Sequence, residues 1–230
     1  MSTESTIRIA SYNLRGLKDD PAAAAAVVRA IDPDVLLLQE VPRHPLSSYR
    51  ISDFARRCDL LWSGRTRRLS GTSMMTSMRV MATDSFDRKL PVPPRANPRS
   101  YTAAQVRRPG GPGLTVVSIH LSLIADERLA HTRLVLTELA ADPALGDGPF
   151  VVGGDLNESA DGAAWSLLGE RLRLAGPGTP TYPAHHPHRC IDAVFVSTEL
   201  GLAPHADLPL HPVTLRRATD HLPVWVDVIA

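Results

Sequence analysis

The segment PFVVGGDLN, residues 149–157, reads as a buried strand that turns polar at its end. Phe150, Val151 and Val152 are strand formers, and Gly153-Gly154 leads into Asp155 and Asn157. Such a strand delivers an acid and an amide to one edge of a sheet. The same design recurs along the chain. IRIASYN (7–13) ends on Asn13, VLLLQE (35–40) is a continuous apolar run ending on Glu40, and LTVVSIHL (114–121) carries His120 near its end. IDAVFVS (191–197) opens with Asp192 close to its start, and Asp220-His221 immediately precede LPVWVDVIA (222–230).

Between these runs the periodicity changes. PAAAAAVVRAI (21–31) reads as a helix with Pro21 in its first turn, Asp19 or Asp20 as cap and Asp32-Pro33 as stop. A second helix is expected over 46–58 and a short one over 161–169. Residues 125–141 form an amphipathic helix with Leu129, Thr132, Leu136 and Leu139 on one broad face. SMMTSMRVMA (73–82) and YTAAQVRR (101–108) read as further strands, the latter joined to 114–121 through the turn-rich PGGPG as an antiparallel pair. No repeat or interdomain linker interrupts the pattern, so one α/β domain of mixed sheets over residues 1–230 is expected.

Composition agrees with a soluble globular chain: 230 residues, 43% hydrophobic and 21% charged. No apolar run reaches the ~18 residues that span a bilayer. MSTESTIRIASYN has neither the basic nor the apolar region of a signal peptide, and Cys58 and Cys190 alone build no disulfide framework. A reduced, cytoplasmic setting and a monomer are the expectation. The net charge of +1 hides a gradient: residues 43–108 hold fourteen Arg/Lys against four Asp, a net of +10. That excess suits an anionic partner or is a scattered, solvated surface. Arg65, Arg67 and Arg68 within it read as a substrate loop or as a solvated basic loop. With aromatics at 5%, stacking platforms for single strands are poor.

If the polar strand ends meet at one edge, a single cleft gathers Glu40, Asp155, Asp192, Asp220, His120, His221, Asn13 and Asn157. Mutually repelling carboxylates call for a cation, and their oxygen donors favour Mg²⁺ or Mn²⁺ over zinc. A free carboxylate can orient or deprotonate water, and a histidine held by a carboxylate can donate to a developing oxyanion. This is the equipment for hydrolysing phosphate esters. Arg15 and Arg189, beside these residues, read as phosphate contacts or as surface salt bridges, and Tyr182 as a cleft wall or a packing residue. His185-His186-Pro187-His188 lacks a second ligand pair at zinc spacing.

SYN (11–13), LLLQEV (36–41), SIHL (118–121), GGDLN (153–157), IDAVFVS (191–197) and TDHLPV (219–224) resemble, in order, the motifs of the endonuclease/exonuclease/phosphatase family, which includes deoxyribonuclease I-like enzymes, sphingomyelinases and inositol-polyphosphate phosphatases. The resemblance implies a four-layer α/β/β/α sandwich of two packed mixed sheets. It implies Glu40 as principal metal ligand with Asn13 and Asp220 assisting, Asp155 positioning or activating water, and Asn157 on the scissile phosphate. His221 paired with Asp192 is then the acid/base or transition-state donor, and His120 binds phosphate or assists the leaving group. Gly71-Thr72 departs from the Gly-Asn pair of many relatives, so this chain offers no Asn side chain for a phosphate there. His120 resembles the deoxyribonuclease I, sphingomyelinase and phosphatase branches, because the apurinic-site branch has tyrosine at that place. The readings are a phosphodiesterase acting on DNA or RNA, a hydrolase of small or lipid phosphoesters, and a non-catalytic binder on the same scaffold.

Overall fold

The computed structural model describes residues 6–62, 71–142, 145, 148–205 and 207–229. Arg65, Arg67 and Arg68 lie outside the described residues. In chain order the strands are β1 (Thr6–Asn13), β2 (Val35–Gln39), β3 (Leu61–Trp62), β4 (Thr72–Thr76), β5 (Met81–Leu90), β6 (Arg99–Arg107), β7 (Leu114–His120), β8 (Phe150–Asp155), β9 (Arg173–Leu174), β10 (Asp192–Val196), β11 (Gly201–Leu202) and β12 (Val224–Ile229). The helices are α1 (Pro21–Ile31), α2 (Ser47–Arg57), α3 (Ala125–Ala141), α4 (Ala163–Gly169) and α5 (Pro212–Ala218).

Two six-stranded sheets result, in the orders β11-β12-β1-β2-β4-β3 and β5-β6-β7-β8-β10-β9. Each contains one parallel pair, β1 with β2 and β7 with β8, and these pairs are joined by α1 and α3 respectively. Parallel neighbours require such a crossover. β1 packs over β8 and β2 over β7, so the two parallel pairs face each other across the sandwich.

Side-chain alternation builds the layers. Ile7, Ile9, Val35 and Leu37 point between the sheets with Val116, Val151, Val194 and Val226. Ala10, Tyr12, Leu36 and Leu38 point outward onto α1 and α2, while Tyr101, Val117, Ile119 and Phe195 meet α3 and α4. This is the expected four-layer α/β/β/α arrangement. β8 approaches its neighbours closely because Gly153 and Gly154 carry no side chain. A Cβ on Gly153 would meet Leu37 Cδ1 of the facing sheet at 2.8 Å, and one on Gly154 would overlap the Ile119 carbonyl.

Local signals act as read at α1. Asp20, not Asp19, caps it by accepting the Ala22 and Ala23 amides, and Asp32 ends it in a left-handed conformation. Two readings need correction. The run 73–82 is not one strand. It breaks after Thr76, where Ser77 and Arg79 turn to bind Asp34, and β5 then begins in the other sheet. β5 itself escapes sequence reading because it is a largely exposed edge strand with little apolar alternation. The buried face of α3 is also rotated: His131, Thr132, Val135 and Leu139 are buried, whereas Leu129 and Leu136 are only partly covered. Among the described residues, no helix is long and apolar enough to cross a membrane.

Asp34 ties the sheets together at the edge opposite the polar strand ends. Its buried carboxylate accepts from the Arg8 amide (3.0 Å), the Ser77 hydroxyl (3.1 Å), Arg79 Nε (2.5 Å) and Arg108 Nη2 (3.1 Å), the last reaching from beyond β6. Burial disfavours its charge, but these donors prevail and hold its pKa below the ordinary value. Asp34→Asn is expected to cost about 2–3 kcal/mol of unfolding free energy at neutral pH, because donors are left mismatched in a buried place. A depressed folded pKa contributes stability above the unfolded value and loses it on acidification. The gap between wild type and variant in urea unfolding should therefore narrow below about pH 4.

Candidate active site

The topology aligns the polar strand ends at one edge. β1, β2, β7 and β8 all finish there, delivering Asn13, Glu40, His120 and Asp155, while β10 and β12 run antiparallel to their neighbours and begin there. Asp192 consequently pairs in register with Asp155, which pairs with His120. His221 arrives just ahead of β12. All eight expected cleft residues are brought together.

Asp155 is the hub. It is 2% exposed and accepts the Asn13 Nδ2–H (2.9 Å) on one oxygen and the Asn157 amide (2.9 Å) on the other. His120 Nε2 lies 3.5 Å and His221 Nε2 3.8 Å from its Oδ2. The His221 Nδ1–H donates to Asp192 Oδ2 at 2.9 Å, and that oxygen also accepts the Thr181 hydroxyl at 2.6 Å. Asp192 thus fixes the imidazole so that Nε2 faces Asp155. The Asn157 side chain donates to the Leu121 carbonyl (3.0 Å) and braces the end of β7. Glu40 and Asn157 leave their strands in left-handed conformations, φ 50° and 53°. Such conformations cost non-glycine residues of order 1 kcal/mol and recur where function dictates geometry.

Burial and charge separate the ionisable groups. Asp155 is raised to about 7 by burial and by the Asp192 carboxylate, against the pull of His221 and its two hydrogen bonds. His221 is also penalised by burial, yet Asp192, Asp155 and Asp220 lift it to about 9. His120 falls well below its ordinary value through burial and the nearby Arg99 and His221 cations. Near neutrality the cleft therefore holds one charged imidazole, one neutral imidazole and a carboxyl close to its midpoint. That is a suitable set for moving protons at pH 7.

A cavity of about 350 Å³ opens over this hub, lined by Glu40, His120, Asp155, Asn157, Asp220 and His221 together with Tyr182, Arg189, Lys18, Arg43, Asn97 and Arg99. Tyr182 is a cleft wall, its ring tilted on His221 at 4.8 Å between centroids. Arg189 lines the cavity and is exposed, its guanidinium 6.0 Å from the Tyr182 ring centre. Arg15 instead ion-pairs with Asp220 (3.3 Å) and Asp19 (3.2 Å). Lys18, Arg43, Asn97 and Arg99 were not singled out from the sequence. Arg99 is 8% exposed, and its buried Nε has no hydrogen-bond partner among the described residues. It begins β6, an antiparallel strand whose Ser100 pairs with His120. Inspecting the starts of antiparallel strands, as for Asp192, would have found it. Thr72 is fully buried and bonds Ser100 and Thr102, forming part of the sheet-to-sheet contact rather than the cavity wall. His185, His186 and His188 are exposed and join no ligand cluster among the described residues.

Two donor sets suit a cation. Atoms of Asp155, Asp192 and His221 lie within 4.8 Å of one another, but there the imidazole Nδ1 and Asp192 already satisfy each other. Glu40 and Asp220 are half-buried oxygen donors on the cavity wall, the donor type that hard divalent ions take. Arg15 already places positive charge against Asp220. Asn13 turns its Nδ2 toward Asp155 and Glu40 (3.4 Å), because its Oδ1 accepts the Arg15 amide. In that orientation it braces the carboxylates.

Two facing mixed sheets with an acid–imidazole cleft at one edge define a deoxyribonuclease I-like α/β sandwich. The model of the endonuclease/exonuclease/phosphatase family matches residues 10–221, and the chain belongs to that family of metal-dependent phosphoesterases. Among solved structures, a conserved protein of unknown function from Enterococcus faecalis is similar at TM-score 0.77 and 19% identity, covering 96% of this chain and 99% of that one. The human Nocturnin catalytic domain with bound sulfate is similar at 0.72 and 17% (97% and 94% covered), and a Bacteroides thetaiotaomicron mannosyl-6-phosphatase at 0.74 and 15% (97% and 100%). No curated protein matches the chain in sequence.

In metal-free protein, NMR titration should find the His221 imidazolium losing its proton near pH 9, and Asp192→Asn should lower that midpoint by at least one unit. Glu40→Gly should keep or raise stability, by up to about 1 kcal/mol, since glycine accepts the left-handed turn. The same variant should lose the rise in Tm that Mn²⁺ gives the wild type.

Proposed function

We propose that the protein is a Mg²⁺- or Mn²⁺-dependent phosphodiesterase that cleaves a nucleic-acid backbone by water attack. The observation that carries this reading is the pairing, in one cavity, of the buried Asp155 carboxyl with Arg99, whose buried Nε has no hydrogen-bond partner among the described residues and suits a phosphate oxygen. Arg43 and Arg99 come from the basic stretch 43–108, and sequence-independent affinity for DNA or RNA rests on such phosphate contacts.

Glu40 and Asp220 would hold the cation, with Asn13 bracing Glu40. When bound, the ion polarises a phosphoryl oxygen and offsets charge on the leaving oxygen. Asp155, oriented by Asn13 and the Asn157 amide, takes a proton from the attacking water as the new P–O bond forms and the P–O bond to the ester oxygen breaks, that oxygen leaving with the electron pair and taking up a proton as an alcohol. His221, kept charged by Asp192, stabilises the negative charge on the oxygens of the pentacoordinate phosphorus centre through Nε2–H. Neutral His120, beside Arg99, contacts the phosphate, as does Asn157. Arg189 and Tyr182 border the substrate, and Arg15 joins them on release from Asp220. Action as a single-domain monomer in the cytoplasm belongs to the same proposal, and the free Cys58 and Cys190 suit a reduced compartment.

A second reading, a hydrolase of small or lipid phosphoesters, draws on the modest size of the cavity. One structural neighbour is described as a mannosyl-6-phosphatase and another, ANGEL2, as a 2′,3′-cyclic phosphatase.

Purified protein with Mg²⁺, Mn²⁺ or chelator should nick plasmid DNA and hydrolyse bis-p-nitrophenyl phosphate, with both activities lost on chelation. Turnover of p-nitrophenyl phosphate or phospholipids alone would favour the second reading, and nucleic-acid binding without turnover a binder. Asp155→Asn and His221→Ala should each lower kcat by about 10²–10⁴-fold in protein that still unfolds cooperatively. Wild-type rates in either variant would remove that residue from the mechanism.

A further inference from the structure

The turn joining β7 to α3 presents two exposed apolar side chains, Leu123 (70% exposed) and Ile124 (53%), and Leu123 lines the cavity that holds Asp155 and His221. Isolated exposed leucines are ordinary. What distinguishes this pair is the anchoring beneath it. The Leu121 amide donates to the Asp155 carbonyl (3.0 Å), and the Leu121 carbonyl accepts from Asn157. Arg128 Nη1 donates to the Leu123 carbonyl (2.8 Å), while its Nε is fixed on Glu158 (2.7 Å), a buried carboxylate that also accepts the Trp165 amide (2.7 Å). The Ser122 hydroxyl donates to Glu127 (2.5 Å) and accepts the Ile124 amide (3.2 Å). A turn pinned at every residue loses little entropy when a ligand packs on it, which is the requirement for a preorganised contact.

We infer that Leu123 is a platform for a nucleobase next to the scissile phosphate, and so a specificity-determining residue for the reaction. The inference rests on the phosphodiesterase reading above. Lys18, Arg43, Arg99 and Arg189 supply the charge that seats a phosphate in the cavity. The ester's organic group must then lie along the cavity wall, where Leu123 offers an apolar surface suited to one face of a base. An acyl chain needs a longer apolar trough. Apart from Ile191, the other residues lining this cavity are polar, charged or the amphipathic Tyr182.

The test compares two fluorescent decamers of identical charge, oligothymidylate and a chain of tetrahydrofuran abasic residues, cleaved in Mn²⁺ by wild type and Leu123→Ser. Wild type should favour the base-bearing chain by about tenfold in kcat/KM, as expected for apolar contact with one face of a base, and Leu123→Ser should shrink that ratio to about twofold, with the loss in KM. Tm within about 2 °C of wild type confirms that an exposed side chain was changed without unfolding. Equal ratios in the two proteins, with both chains cleaved, overturn the platform and leave the phosphodiesterase standing. Cleavage of neither chain by wild type overturns both. Leu123-dependent hydrolysis of phosphatidylcholine vesicles, with no preference for bases, would assign the turn to a lipid.

Discussion

The hydrogen bond from Asn13 to Asp155 joins the end of one sheet to the end of the other, and the cleft depends on it. Asp155 lies at the tip of β8 with almost no access to water, one register step from a second buried carboxylate, Asp192. A carboxylate so placed persists only if donors surround it. The Asn13 amide and the Asn157 backbone N–H supply them, the His221 imidazolium adds positive charge 3.8 Å away, and each comes from a different strand end. Below this level, Gln39 donates to Ser11 (3.2 Å) and Ser118 (3.0 Å), linking β1, β2 and β7 within the sandwich. The seam between the sheets thus passes from valine and isoleucine, through a neutral polar layer, to ionisable groups. Burial changes chemical character without a break in packing.

This gradient explains why both sheets carry a parallel pair at their facing centres. Parallel strands end together, so β1, β2, β7 and β8 place four chain ends in one plane without any long loop. Antiparallel β6, β10 and β12 contribute their beginnings instead. The opposite edge is closed by the Asp34 network, where the Arg108 guanidinium crosses from the second sheet. One end is fixed by compensated charge, and the other is left with charge to compensate.

Much of this was legible in the chain. The strands carrying Asn13, Glu40, His120 and Asp155 announce themselves as apolar runs that end abruptly in polar residues, and burial on both faces leaves nothing else for them to be. α1 was legible to the residue because Pro21 and Asp32 are strong local signals. What could not be read depends on partners far along the chain. β5 has an exposed edge pattern that period alone does not distinguish from a loop. The break at Ser77 reflects Asp34, 43 positions away. Arg99 lies two residues before an obvious strand, and only the antiparallel direction of β6 turns it toward the cleft. His120 and His221 look alike in sequence, and their charges diverge only once Arg99 flanks one and Asp192 the other.

That divergence is what makes the cluster more than a collection of polar residues. Folding stability alone would favour none of these choices: Asp155 beside Asp192 is repulsive, a buried imidazolium is costly, and Glu40 adopts a left-handed turn that glycine would take more easily. Asp192 resolves the conflict by holding His221 charged, and the charged His221 in turn draws Asp155 back toward ionisation while helping to suppress the charge of His120. The dyad therefore acts together with burial and Arg99 on three protonation states. A fold that needed only stability would replace these groups with the apolar residues found a few ångströms below them. At the meeting point of six strands these groups place a charged imidazole, a neutral imidazole and a buried carboxyl side by side within one small cavity.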